Sequence, residues 1–227
     1  MSEPVDIVYG RRPVAEAEAG RRRVVRVHRA PEVSDEDLER LAGSPDHQGV
    51  VAEVEPYRYR DGIDLLEGKK GLILALDQVQ DPRNLGAACR SAEVAGAIGV
   101  VVPERRSATV TPAACKASAG AVEHIDVARV TNLADWLGKA RDHGYWVWGA
   151  AGEGGVPPWE VDLTGPTVLV LGSEGKGLRP RVRSCCDGVV SIPQAGRTAS
   201  LNVSAAATAL LFEAVRQSSG SEGPKTA

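Results

Sequence analysis

No stretch of this chain approaches the roughly 18 uninterrupted apolar residues that a membrane-spanning helix needs, so none is expected. The opening MSEPVDIVYGRR lacks the apolar core of a secretory signal, which makes the cytoplasm the expected compartment. Cysteine is scarce: Cys89, Cys115, Cys185 and Cys186 contain no C-x-x-C pair, and adjacent Cys185 and Cys186 cannot form a zinc knuckle. They read as free thiols of a reducing compartment. The histidines His28, His47, His124 and His143 are scattered, forming neither a metal set nor a triad, so no metal is expected. No G-x-G-x-x-G follows the first strand of the larger segment, which weighs against a nucleotide-dependent oxidoreductase. The run Gly172-Ser173-Glu174-Gly175-Lys176-Gly177 also lacks Walker spacing.

What is present is globular in composition, 43% hydrophobic and 25% charged. A length of 227 residues allows one ordinary domain and a small one. The net charge of −3 argues mildly against a nucleic-acid partner, but the charge is unevenly placed. Residues 11–29 carry seven arginines against two glutamates, whereas residues 32–67 carry eleven acids against three arginines. Such polarity suits a local phosphate-contacting patch and equally suits a merely solvated surface.

Taken in order, Ile7-Val8-Tyr9 predicts a short strand, 14–19 a helix ended by Gly20, and Val24, Val25 and Val27 a strand with exposed arginines. Ser34 followed by three acids predicts an N-cap and a helix over 36–41, closed by Gly43. A strand follows at 49–54. Residues 56–70 are polar and irregular and are expected to be a linker. From there strands at 72–76, 99–102, 125–130, 145–150 and 167–171 alternate with helices at 85–95, 112–121 and 133–143. That alternation describes an open, parallel, doubly wound α/β sheet with helices on both faces. The last helix, 201–215, is apolar nearly all round and is expected to be buried on most sides. Residues 218–227 read as a disordered tail.

The chemistry concentrates in residues 167–216. An apolar strand runs into the glycine-rich turn at 172–177, a second strand at 189–192 ends at Pro193, and a further loop opens into the last helix near Ser200, Leu201 and Asn202. Two strand-to-loop exits bearing polar groups form the kind of pocket that α/β sheets build beyond their carboxyl ends.

Three motifs then point to a family. LGSEGKGL, the following SIP, and SLNVSAAATALLFEA resemble motifs two and three of the SpoU (TrmH) family of RNA 2'-O-ribose methyltransferases, and DPRNLGAACRSA resembles motif one. The likeness covers about residues 71–217, in the family's order and spacing. It is closest to the branch acting on guanosine in 23S rRNA, because DPRNLGAACRSAEVAGA, VVPERRSA and HQGVVA look more like that branch. A tRNA guanosine methyltransferase is the alternative within the class, and a non-catalytic RNA-binding relative the alternative outside it. YGRRPV and HQGVVAEV resemble the ends of the ribosomal-protein-like RNA-binding domain of many SpoU enzymes. The stretch from Val27 to Val33 is short for that pattern, so residues 1–55 are expected to be a compact or incomplete version.

The resemblance implies a SPOUT-type sheet with a deep C-terminal trefoil knot, a homodimer with the active site at its two-fold interface, RNA as partner and S-adenosylmethionine as cofactor. It places the cofactor against the loops at Leu171, Gly172, Gly177, Ile192 and Leu201. It gives catalytic positions to Arg90, Asn84, Glu174, Ser200 and Asn202. Read without it, Arg90 is a solvated side chain on an alanine-rich helix, Asn84 a helix cap, Ser200 an N-cap, and the glycines a tight turn. Family schemes make Arg90 the base, yet a guanidinium is a poor proton acceptor. A grip on the phosphate and on the developing alkoxide is the physically preferred role.

Overall fold

The structure, a computed structural model, describes residues 4–173, 175–197 and 200–221, without the side chains of residues 220 and 221. In chain order the first unit comprises β1 (Asp6–Tyr9), α1 (Arg11–Ala19), β2 (Val24–Arg29), α2 (Asp35–Ala42) and β3 (Val50–Val54). Its three strands form an antiparallel sheet in the order β1-β3-β2. The helix α1 begins three residues earlier than expected, because Pro13 falls in the first turn, where its missing N–H costs nothing. Ser34 caps α2 through the Asp37 N–H, and Gly43 closes it in the left-handed conformation.

The stretch expected as linker carries structure: β4 (Arg60–Asp61) and α3 (Gly62–Glu67). Asp61 caps α3 by accepting from the Ile63 N–H at 2.8 Å, and Leu65 and Leu66 are buried. The rest follows as β5 (Leu72–Asp77), α4 (Pro82–Val94), β6 (Gly99–Pro103), α5 (Pro112–Ala117), β7 (Asp126–Val130), α6 (Leu133–Asp142), β8 (Trp146–Ala151), β9 (Thr167–Gly172), α7 (Pro180–Arg183), β10 (Gly188–Ser191) and α8 (Val203–Ser221). Seven strands make a parallel sheet in the order β10-β8-β9-β5-β6-β7-β4. Apolar residues of α4, α5 and α8 pack on one face of that sheet, and those of α3, α6 and α7 on the other. The helix expected over 112–121 stops at Ala117, where the Ser118 hydroxyl donates to the Cys115 carbonyl and Gly120 turns left-handed at φ 90°.

Two expectations for the C-terminus do not hold. Residues 218–221, expected to be disordered, continue α8; the residues after 221 lie outside those described. Nor is α8 buried on most sides within one chain. Val203, Ala207, Leu210, Leu211 and Ala214 are buried, whereas Ala205, Ala209 and Phe212 are exposed. Small side chains hid the periodicity, since alanine is at home on either face.

The N-terminal unit shares its core with the larger sheet. Val8, Val14, Ala17 and Val50 belong to the cluster that contains Leu85, Cys115 and Leu211, while the opposite face of the small sheet packs Tyr9 and Val51 under Leu38 of α2. Ion pairs fasten the seam. Arg22 bonds Glu123, its Nε lying 2.9 Å from Glu123 Oε2, reaches Asp6, and stacks over the Tyr57 ring at 5.3 Å. Arg21 pairs with Asp126, and Arg60 with the same carboxylate. Arg12, Arg23 and Arg29 pair with Glu16, Glu55 and Glu18 within the unit or at its border. Most of the arginine-rich stretch therefore holds protein rather than facing solvent unpaired.

Candidate active site

The parallel register sets the site. Asp77 at the end of β5 lies opposite Gly172 at the end of β9, and Ala150 of β8 lies opposite Leu171, so three loops leave the same sheet edge side by side. Between them and the entry to α8 is a cavity of about 370 Å³. Leu171, Gly172, Gly177, Ile192 and Leu201, the five expected cofactor residues, all line it, and so does Ser200. Its walls are apolar side chains and glycine backbone, with Ser173, Gln194 and Ser200 as polar points. The turn after β9 doubles back: the Gly177 N–H donates to the Ser173 carbonyl at 2.9 Å. A Cβ added at Gly172 would overlap the Gly177 carbonyl, so glycine is required there by packing.

A second, polar cleft of about 260 Å³ adjoins the first and shares Ser173 and Val203 with it. Gln78, Val79, Gln80, Asp81, Asn84 and Lys176 complete its lining. Asn84 is not the cap of α4. Asp81 is, accepting from the Arg83 N–H at 2.8 Å, and Asn84 lies in the first turn of the helix. Asn202 Nδ2 donates to Asn84 Oδ1 at 3.0 Å, while Asn202 Oδ1 accepts from the Ser204 N–H and hydroxyl. Asn202, not Ser200, therefore caps α8, and motifs one and three meet through the two asparagines. Glu174 lies outside the described residues.

Arg90 stands apart. It is exposed on α4, lines neither cavity, and has no ion pair or hydrogen bond among the described residues. Beside it the Ser91 hydroxyl meets the Thr208 hydroxyl of α8 at 2.6 Å, so α4 and α8 present one continuous surface. That surface bears exposed Val94 and Phe212, 63% and 43% accessible.

Sequence reasoning missed the lining residues Ala150 to Gly152, Gln194 and Val203, and above all Asp77. This carboxylate is fully buried. Arg179 holds both its oxygens, the backbone N–H at 2.9 Å and Nε at 2.7 Å. The bond ties the strand leading into the polar cleft to the returning limb of the glycine turn. A lone acid ending the apolar run 72–76 was the available signal. Burial pushes the Cys89 thiol up to about 12 and the Cys115 thiol up to about 11, so neither is a nucleophile near neutral pH. No group of metal-ligating side chains occurs among the described residues.

An apolar, glycine-walled cavity beside a polar cleft at the carboxyl edge of a parallel sheet is the kind of place where α/β proteins hold a small ligand. Residues 71–212 match the model of the SpoU rRNA Methylase family, and residues 29–60 match that of RNA 2'-O ribose methyltransferase substrate binding. The chain is 49% identical over 183 residues to the 23S rRNA (guanosine-2'-O-)-methyltransferase RlmB of Pseudomonas syringae pv. tomato, covering 78% of this chain and 73% of that protein. The SpoU methyltransferase AviRb of Streptomyces viridochromogenes, solved with AdoMet, superposes with a TM-score of 0.77 at 30% identity, covering 94% of this chain and 90% of that one. The AdoMet-bound rRNA methyltransferase of Sinorhizobium meliloti gives 0.80 at 26%, covering 93% and 87%. The chain belongs to the SpoU rRNA methylase family, and with it to the S-adenosylmethionine-dependent RNA 2'-O-ribose methyltransferases.

Proposed function

We propose that this chain methylates the ribose 2'-hydroxyl of a guanosine in 23S rRNA. The observation that carries the reading is the junction of the two cavities at Ser173 and Val203, bridged by the Asn84–Asn202 bond, in a chain close to a 23S rRNA guanosine methyltransferase. The larger cavity suits S-adenosylmethionine: it falls within the roughly 300–1,000 Å³ of ordinary ligand sites, and its apolar walls and few polar points suit a purine and an amino-acid tail. Leu171, Gly172, Gly177, Ile192 and Leu201 would hold it. When bound it supplies a methyl group on an electrophilic sulfonium.

The chain's own residues supply position and charge. Asn84 and Asn202, braced on each other, orient the ribose and its hydroxyl, and Ser200 and Glu174 complete the approach. Arg90 grips the backbone phosphate and stabilises the alkoxide as the proton passes to that phosphate or to water. Since Arg90 does not reach the cavity of its own chain, it serves the cavity of a second copy. The apolar surface around Val94 and Phe212 is the homodimer contact. The trefoil threading of the C-terminal segment belongs to the same reading, supported by the packing of α8 between α4 and the strands β5 and β9. So does a cytoplasmic site of action; among the described residues no helix is long and apolar enough to cross a membrane.

The test is to offer methyl-labelled S-adenosylmethionine with 23S rRNA and with tRNA separately, and to map the ribose methyl. Label on one guanosine of 23S rRNA is expected. Label on tRNA alone moves the substrate to the other branch, and label on neither removes the reading.

A further inference from the structure

The segment VVPERRSA, which ends the strand β6 and runs on into the loop after it, takes no part in the reaction described above. We infer that Arg105 and Arg106 within it clamp backbone phosphates of the RNA beside the target nucleotide, so that the strand runs from the polar cleft across the end of β6. The inference rests on RNA being the substrate and adds its path.

Three observations place the clamp. The loop is bound to the cleft wall, because the Ala108 N–H donates at 2.8 Å to the carbonyl of Val79, a lining residue. Two residues of chain span at most about 7 Å, which keeps Arg106 beside that wall. Arg106 itself is left-handed at φ 58°, a conformation that a bulky residue adopts only where its surroundings impose it.

The charge is also left free. Arg105 and Arg106 are exposed and have no ion pair or hydrogen bond among the described residues. Their neighbour Glu104 is turned toward the end of β7: its carboxylate accepts from the Thr131 hydroxyl at 3.2 Å, and its carbonyl from Arg129 at 3.0 Å. Exposed Lys176 lines that cleft, exposed Arg83 lies in the chain between its lining residues Asp81 and Asn84, and neither side chain is paired among the described residues. Paired guanidinium groups suit phosphate oxygens, and such contacts fix register without reading sequence. The N-terminal arginines are mostly held by carboxylates, so this rim is the stronger phosphate site.

The experiment compares wild type with R105A/R106A and with K69A/K139A, a control removing two exposed lysines from the opposite edge of the sheet. A 23S rRNA fragment is bound over a series of salt concentrations, and methyl transfer is assayed in parallel. R105A/R106A should weaken RNA binding about tenfold or more and lower the slope of log K against log salt by about 1 to 1.5, since each single-strand phosphate contact contributes about 0.7. The KM for S-adenosylmethionine and the melting temperature should stay at wild-type values, and the control should keep the wild-type slope. A slope and affinity unchanged in R105A/R106A, with wild type active, overturn the clamp and leave the methyltransferase reading standing. Equal losses in the control overturn it too, because bulk charge then explains the effect. A wild type that binds and methylates no RNA overturns the reading itself, and the clamp with it.

Discussion

Arg22 and Arg90 show what the two halves of this molecule do with the same side chain. The Arg22 side chain is 8% exposed, stacked on the Tyr57 ring, with Glu123, its side chain 1% exposed, as its partner. Burial alone would lower its pKa, but the hydrogen bond and charge of Glu123 outweigh that, and the guanidinium is held in its charged form. Arg90 is exposed on α4 with no partner among the described residues. Near the seam between the units, arginines neutralise carboxylates and join surfaces. Around the sheet edge that carries the cavities Arg83, Arg105, Arg106 and Lys176 keep their charge available, and so does Arg90 farther along α4. A count of arginines along the chain points to the N-terminal half for phosphate contact, whereas a count of unpaired ones among the described residues points to the edge where the clamp is proposed.

Substitutions can break that comparison. Arg22→Ala is expected to have the largest effect, a loss of about 3–5 kcal/mol in unfolding free energy measured in urea, because Glu123 is left as an uncompensated buried charge. Adding Glu123→Ala should restore part of the loss. If Arg22→Ala costs less than about 1 kcal/mol, the seam is not held as described. Arg90→Ala should do the reverse. Removing a group that stabilises developing charge costs about 3 kcal/mol of barrier, so kcat should fall about a hundredfold. Urea stability and S-adenosylmethionine affinity should not move, and retention of wild-type kcat would take Arg90 out of the mechanism.

The same distinction explains what the sequence made legible. Apolar runs at 72–76, 99–102 and 167–171 between helical segments sufficed to read a parallel sheet, because strands buried on both faces are near-continuously apolar, while 125–130 carries Asp126 and Arg129. The short elements β4 and α3 were hidden in polar sequence, since two strand residues and six helical ones give no period to detect. The exposed face of α8 was hidden by alanine. At the site, the motifs located the cavity loops through glycine and serine, whose backbone role is visible in composition. Asp81 as the cap of α4 and Asn202 as the cap of α8 could be separated from Asn84 and Ser200 only by hydrogen bonds. Pairing across the fold, such as Arg22 with Glu123 over a separation of 101 residues, leaves no local signal at all.

Asp77 sharpens the contrast, being a buried acid whose arginine partner is at the active edge. On the proposed reading it would be a positioning residue, acting through Arg179 on the limb after Gly177, which lines the larger cavity. In Asp77→Asn one acceptor survives and the other becomes a donor facing a donor, which costs about 1–3 kcal/mol. Some of that cost should appear as affinity. The KM for S-adenosylmethionine should rise about tenfold with the KM for RNA unchanged, and Arg179→Lys should retain more cofactor affinity than Arg179→Ala. A uniform loss of stability with no change in either KM would make the pair a fold element only.

The smallest expected effect tests one of the paired arginines of the C-terminal half, where Arg141, Arg179 and Arg181 also meet carboxylates. Arg216 meets Glu213 through two hydrogen bonds at 2.8 and 2.7 Å, and Gln217, bonded to Glu213, also accepts from the Leu163 N–H and donates to the Pro158 carbonyl. The cluster ties α8 to residues 158–163, in the connection between β8 and β9. The Arg216 hydrogen bonds hold the Glu213 carboxyl well below its ordinary value, at about 2. A carboxyl whose pKa is lower in the folded than in the unfolded chain stabilises the fold above its unfolded pKa, and that contribution fades as pH falls toward the folded value. The Arg216 side chain is exposed, so solvent screens the pair and its contribution to stability is small. Glu213→Gln should therefore melt slightly below wild type at pH 7, and the gap should narrow as pH is lowered from about 4.5 toward 2. A gap that stays constant with pH would assign the effect to packing at Gln217 and remove the charge from the account.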